Sequence, residues 1–241
     1  MSSEVSPLAK TGGLADVAGS LPKALAGRGH DVRIAMPRYR QIKEVDYLTD
    51  LPVEMDGGLE TAIIRHTALE GIHPVQVYLV DNYKYFWRDG MYGYADDALR
   101  FNFFCKSVLS MLSWLEFQPD IIHCNDWQTG PLPLFLKVKH EDNPFYRKTA
   151  TVFTIHNLQY QGNFERNILK VLALGDNFFT PERLEFHGRV SFIKAGILYA
   201  DLLNTVSKKY ALEIQTPEYG ERLDGLLRKR APDLRGILNG I

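Results

Sequence analysis

The stretch Lys10-Thr11-Gly12-Gly13-Leu14-Ala15-Asp16 gathers a cation, a hydroxyl, two adjacent glycines and a carboxylate. Adjacent glycines let a backbone turn tightly and come close to a ligand. The run that follows, Leu14 to Arg28, has helical spacing, with Leu14, Val17, Ala18, Leu21 and Leu25 on one face. A helix start presents N–H groups and partial positive charge, which suits a phosphate. Lys10 adds a cation before the turn, and Asp16 in the first turn suits the helix dipole. The same residues also read as a plain glycine turn before an acidic helix start. The turn matches neither G-x-G-x-x-G nor G-x-x-x-x-G-K-[ST], so a dinucleotide-dependent oxidoreductase or a P-loop ATPase is unsupported.

A second group of chemistry-bearing residues follows two strand-like runs. Asp126-Trp127-Gln128 comes after Pro119 to His123, and His156-Asn157 comes after the β-branched run Thr149 to Ile155. Parallel sheets place ligand sites beyond the carboxyl ends of their strands, so both groups fall where such a fold builds a site. The plainer alternatives are a helix N-cap for Asp126 and a satisfied loop histidine for His156. The run Thr154 to Gly162 nevertheless packs several hydrogen-bonding side chains into one turn. Tyr92, in the aromatic loop Tyr83 to Tyr94, offers either a face for a sugar or simple loop packing. No metal site is expected: the seven histidines are scattered, no H-x-x-x-H occurs, and Cys105 and Cys124 are not in C-x-x-C. No G-x-S-x-G elbow is present. Asp96-Asp97 reads as a helix start rather than a glycosidase pair.

The elements that must position these residues alternate. The first helix, bent at Pro22, stops at Gly27-Arg28-Gly29-His30, and a strand Val32 to Met36 stops at Pro37. Val53 to Met55 and Glu60 to Thr67 flank Asp56-Gly57-Gly58, a plausible hairpin, and Val75 to Val80 is a further strand. Asp96 or Asp97 caps a long helix to about Phe117, lined by Leu99, Phe103, Val108, Leu109, Met111, Leu112 and Leu115. A helix Gln128 to His140, a strand Asp201 to Val206, a helix capped by Ser207 and a short basic helix Leu223 to Arg230 follow. Arg235 to Ile241 reads as a strand or the start of a linker. Helix, glycine stop, strand is the rhythm of parallel α/β folds.

The 241 residues suffice for one large or two small domains, and 45% hydrophobic with 24% charged residues is ordinary for a globular protein. A net charge of -1, with Lys and Arg spread along the chain, argues against a nucleic-acid surface. The two cysteines read as reduced thiols. No apolar run approaches membrane-spanning length, and Met1-Ser2-Ser3-Glu4 carries no apolar signal core.

The stretch Ser3 to Val17 resembles the opening of bacterial glycogen synthases and plant starch synthases. Gly90 to Arg100, His123 to Gly130, Thr154 to Gly162 and Gly236 to Ile241 fit the same family in order. The resemblance implies a Rossmann-like doubly wound, mostly parallel sheet forming the N-terminal, acceptor-side half of a two-domain B-type glycosyltransferase. Residues 1–241 would be that single domain. It would lack a first strand at its start and the nucleotide-binding C-terminal domain beyond its end, as a fragment inactive alone. The implied reaction moves glucose from ADP-glucose, or UDP-glucose, to the non-reducing end of an α-1,4-glucan with retention, using no metal or other cofactor. His156 and Asp126 would carry the catalytic roles. Lys10, Thr11, Gly12, Gly13, Asp16, Tyr92, Trp127, Gln128, Asn157 and Asn239 would contact substrates. Many family members have His where Gln128 stands, and glutamine keeps hydrogen bonding without titrating. The implied partners are the nucleotide sugar, the glucan and the chain's own C-terminal domain, with neither nucleic acid nor membrane. The implied compartment is the cytoplasm, or a plastid if a transit peptide precedes this start. The alternative from another class is a non-catalytic glucan-binding or regulatory module on the same fold.

Overall fold

The computed structural model describes residues 1–240, so Ile241, the last residue of the expected terminal segment, lies outside the described residues. The chain divides into two compact units, Met1–Phe117 and Gln118–Ile241.

In the first unit, α1 (Gly13–Ala26) is followed by β1 (Arg33–Pro37), β2 (Asp46–Met55), β3 (Gly58–Leu69), β4 (Val75–Asp81), α2 (Tyr83–Phe86) and α3 (Asp97–Trp114). The sheet order is β1-β4-β3-β2, with β1 and β4 parallel and the other pairs antiparallel. The hairpin expected at Asp56-Gly57-Gly58 forms, with Met55 opposite Gly58 and Gly57 at φ 104°. Its strands run longer than the sequence suggests, and β2 begins at Asp46 inside a stretch with no clear pattern. Pro22 sits within a continuous α1. Val5 and Ala9 pair in a small N-terminal turn, which meets α1 so closely that a Cβ on Gly19 would lie 2.4 Å from the Ser6 carbonyl. The helix α3 is buried well beyond one stripe, with Phe101, Phe104 and Cys105 enclosed beside the expected Phe103 and Val108. The expected capping by Asp96 or Asp97 is corrected. Asp96 takes the N-cap position without a side-chain cap bond and pairs with Arg88 instead, while Asp97 pairs with Arg100 and accepts from Gly93 N. A carboxylate within reach of a guanidinium makes a stronger, charge-assisted bond than a cap.

In the second unit β5 (Ile121–Asn125), α4 (Pro131–Lys139), β6 (Ala150–Ile155), β7 (Asn163–Phe164), α5 (Ile168–Val171), β8 (Glu185–Phe186), β9 (Arg189–Ser191), α6 (Phe192–Tyr199), β10 (Leu202–Thr205), α7 (Lys208–Glu213), α8 (Asp224–Lys229) and β11 (Leu234–Gly236) follow in order. A fully parallel sheet runs β11-β10-β6-β5, the α/β arrangement that the sequence rhythm implies. A small antiparallel sheet, β7-β9-β8, accompanies it. The helix expected from Gln128 instead opens as a 3-10 turn at Trp127–Thr129, and α4 starts at Pro131. Proline lacks the N–H that a first helical turn leaves unpaired, so it suits that start. Ser207 caps α7 as expected, accepting from Tyr210 N at 2.9 Å.

The helix α6 is held at both ends. Phe192 N and Ile193 N donate to the carbonyls of Gly162 and Gln161, and the Arg230 guanidinium donates to the carbonyls of Ile197, Leu198, Ala200 and Asp201. In between, a Cβ on Gly196 would stand 2.3 Å from the Phe153 ring of β6. Gly196→Ala should therefore overpack this seam and cost about 1–3 kcal/mol, read as a lowered urea midpoint with unchanged slope.

Candidate functional site

The parallel sheet carries β5, β6 and β10 to one edge, and their carboxyl ends run into Asp126, His156 and Val206. There Asp126 does not act as the helix cap that its position suggests. It makes no side-chain cap bond, and its Oδ1 accepts the backbone N–H of His156 at 2.7 Å. It does so from φ 55°, ψ -179°, a region that non-glycine residues seldom occupy. Three bonds hold it there: Asp126 N donates to the Thr154 carbonyl, and Thr129 N and Oγ1 donate to the Asp126 carbonyl. The His156 ring is fixed by its neighbour on the adjoining strand end, with Nε2 2.9 Å from Oδ1 of Asn125. Asn125, Asp126 and Gln128 are all buried. Asn157 is exposed and folds back to accept from Gln159 N, an Asx turn at the head of the loop. Trp127 is buried against Phe164, and a Cβ on Gly162 would come within 2.4 Å of its ring, so only glycine fits beneath the indole. Asn239 N donates to the Val206 carbonyl, which keeps the last described residues beside the end of β10.

Behind this edge, His123 Nε2 meets Thr154 Oγ1, which in turn donates to Oδ1 of Asn204. Burial lowers the His123 pKa to about 3, so the ring is neutral in the folded protein. Cys124 is buried too, and burial pushes its thiol up to about 12, which removes it as a nucleophile. Both cysteines are free thiols, as expected.

In the first unit the glycine turn is organised by Glu4, to which the sequence reading assigns no role. The buried Glu4 carboxylate accepts from Thr11 N at 2.5 Å, Thr11 Oγ1 at 2.6 Å, Gly12 N at 3.3 Å and the Tyr92 hydroxyl at 2.6 Å. The backbone donors of Thr11 and Gly12, expected to await a phosphate, therefore already face an anion. Tyr92 packs its ring against Phe101, and burial raises its phenol pKa, which keeps the proton that it donates. Ser3 Oγ lies 2.8 Å from the same hydroxyl. Lys10 and Asp16 form an exposed ion pair at 2.7 Å beside the turn, and Gly12 and Gly13 each have open space where a side chain would stand. Glu4 was readable in principle: it is an acidic residue just before a glycine turn rich in N–H donors. Asn125 and Thr154 were not, because their roles depend on strand register. Among the described residues no cluster of three or more His, Cys, Asp or Glu is arranged to hold a metal, and no helix is long and apolar enough to cross a membrane.

The sequence pattern of the starch synthase catalytic domain family matches residues 1–229. The chain belongs to that family. A glycogen synthase of Moorella thermoacetica is 81% identical to this starch synthase-type chain across its whole length, and one of Desulforudis audaxviator is 59% identical. The chain spans about 50% of the length of each. The solved catalytic domain of starch synthase IV from Arabidopsis thaliana, bound to ADP and acarbose, superposes with a TM-score of 0.91 at 34% identity, covering 99% of this chain and 50% of that one. Similarity to these relatives extends along nearly the whole chain.

Two outcomes follow for the strand-end site. Asp126→Ala should destabilise by about 1–3 kcal/mol, since it strands the His156 N–H and leaves a side chain at the strained φ. Asp126→Asn, which keeps an acceptor oxygen, should recover most of that loss in urea melts. For His123, the folded value lies below the ordinary 6.5, so the unfolded chain takes up the proton first. Its contribution is complete above about pH 6.5 and lost as pH falls toward 3, amounting to about 2 kcal/mol by pH 5. The stability difference between pH 7 and pH 5 should shrink by about that amount in His123→Gln.

Proposed function

We propose that this chain is the acceptor-side part of a retaining glucosyltransferase that moves glucose from ADP-glucose to the non-reducing end of an α-1,4-glucan. UDP-glucose is the competing donor. The observation that carries the reading is the strand-end arrangement in which Asp126 and Asn125 hold the backbone and ring of His156. Family membership supports the reaction class, and the ADP and acarbose held by the Arabidopsis relative support a nucleotide sugar and a glucan as ligands.

The reaction breaks a bond between an anomeric carbon and a diphosphate. Positive charge grows on the sugar and negative charge on the leaving group, so groups fixed before the reaction stabilise it best. In the second unit, His156 is the group offered to the donor glucose. Asp126 acts on it as a positioning residue, since its Oδ1 binds the histidine's main chain. Asn157 and Gln128 offer hydrogen bonds for sugar hydroxyls. In the first unit Lys10, released from Asp16, is the cation for the diphosphate, and the Glu4-filled turn sets its position. Tyr92, with its hydroxyl on Glu4, supports that turn. Asn239 closes the strand-end edge. The chemistry needs no resident metal or cofactor in this reading. The remaining phosphate contacts belong to a second domain, which the half-length match to relatives supports.

The test is transfer of labelled glucose from ADP-glucose to glycogen, by this chain and by the gene product at full natural length. Transfer is expected from the full-length protein only. There, His156→Ala should lower kcat/KM by about a hundredfold or more, and Lys10→Ala should raise KM for the donor about tenfold. Glucan binding without transfer, from either nucleotide sugar, would replace this reading with that of a binding module.

A further inference from the structure

In the first unit, β1 ends at Pro37, and the next residue, Arg38, donates its backbone N–H to the Val80 carbonyl of β4 at 2.8 Å. That bond carries Arg38 to the carboxyl end of the parallel pair β1 and β4, beside Asp81, the last residue of β4. Parallel strands place ligand sites at such ends. Arg65 reaches the same carboxylate from β3, with Nε 2.6 Å from Oδ2 of Asp81. Arg38 Nη1 stands 4.0 Å from that oxygen, too far for a hydrogen bond. Two guanidiniums therefore face one carboxylate, and Arg65 holds it.

Arg38 is left in a costly position. Its side chain is 11% exposed, and its guanidinium lies over the Trp87 ring, 4.7 Å from the centroid. Among the described residues its side chain donates no hydrogen bond, and its Nε is buried with no partner. A charged donor taken out of water without an acceptor costs free energy. Burial lowers the Arg38 pKa against the pull of Asp81, and Arg65 adds to the lowering. The acidic residues on the neighbouring segments are already paired elsewhere. Asp89 holds Arg40 at 2.5 Å, Asp96 holds Arg88 at 2.5 Å, and Glu60 holds Lys84.

The missing element is one more acceptor with negative charge. A structural ion pair would bring Arg38 within bonding distance of Asp81, and here it does not. A phosphate group fits the geometry, because the planar fork of a guanidinium meets two of its oxygens at once. Trp87 covers one face of the Arg38 fork and leaves the edge, where the N–H groups point, to a ligand. Trp87 is braced in turn by Tyr83, stacked at 5.9 Å with 21° between the ring planes. Arg65 is 28% exposed, so the pair of arginines is reached from solvent.

We propose that Arg38 and Arg65 form a site for the phosphate group of a small ligand, either inorganic phosphate or a phosphate monoester. The site is separate from the Glu4 turn and from the strand-end arrangement around His156, and it stands without the glucosyltransferase reading.

The experiment uses the gene product at full natural length, with ADP at saturating concentration so that a nucleotide site is filled beforehand. Inorganic phosphate and glycerol 3-phosphate are titrated calorimetrically into the unaltered protein, Arg38→Gln and Asp81→Asn. The unaltered protein is expected to bind phosphate under these conditions. Arg38→Gln should weaken that binding about tenfold or more, through loss of a charge-assisted hydrogen bond. Asp81→Asn should tighten it about tenfold, because Arg65 turns from its carboxylate to the ligand. A gain of affinity does not arise from misfolding. Equal affinity for the two probes points to inorganic phosphate, and tighter binding of glycerol 3-phosphate points to a monoester. Absence of phosphate binding by the unaltered protein overturns the proposal, as does equal competition by chloride. Should Arg38→Gln fail to fold, Asp81→Asn decides, and unchanged or weakened affinity there overturns the site.

Discussion

One hydrogen bond, from the main chain of His156 to the carboxylate of Asp126, governs the strand-end edge of the second unit. It spans two neighbouring parallel strands just past their last ladder pair, where nothing else in a sheet would fix one loop against the next. The backbone of Asp126 is held in an unfavourable conformation to reach it. The stabilisation from three hydrogen bonds to its main chain offsets that cost, and the Asn125 amide holds the imidazole from the adjoining strand end. The geometry of the candidate site thus descends from strand register: Asn125 stands opposite Thr154, and both loops leave the sheet at the same level.

The glycine turn of the first unit follows a different logic. An internal carboxylate occupies the donors that an incoming anion would otherwise meet. That carboxylate shapes the turn without any ligand, and the exposed Lys10, paired with Asp16, stands at its edge. Tyr92 belongs to that internal network through its hydroxyl, while its ring is taken up by Phe101.

The alternation of helix, glycine and strand was legible in the sequence, as was the convergence of Asp126 and His156 on strand ends, because periodicity and β-branching report on local backbone preference. The roles of Asp96, Asp97 and Asp126 were not. A carboxylate beside a helix start looks like a cap in one dimension, and only the folded neighbours decide whether an arginine or a distant N–H takes it instead. Residues 162 to 200 gave little pattern, since β7, β8 and β9 span two or three residues each, too short for any period to show. The small sheet they form was therefore invisible in advance. So was the partition of strands between a mostly antiparallel sheet and a fully parallel one, which depends on contacts far apart in the chain.

The grip of Arg230 on the end of α6 has a consequence for the order in which the chain matures. Those carbonyls belong to residues 197 to 201, and the guanidinium that answers them lies about thirty positions later. During synthesis from the amino terminus, at roughly 5–20 residues per second, α6 must wait with its exit unsealed. The ribosome thus delivers the fastener last, and this layer of the second unit becomes final only after the chain has passed through α8.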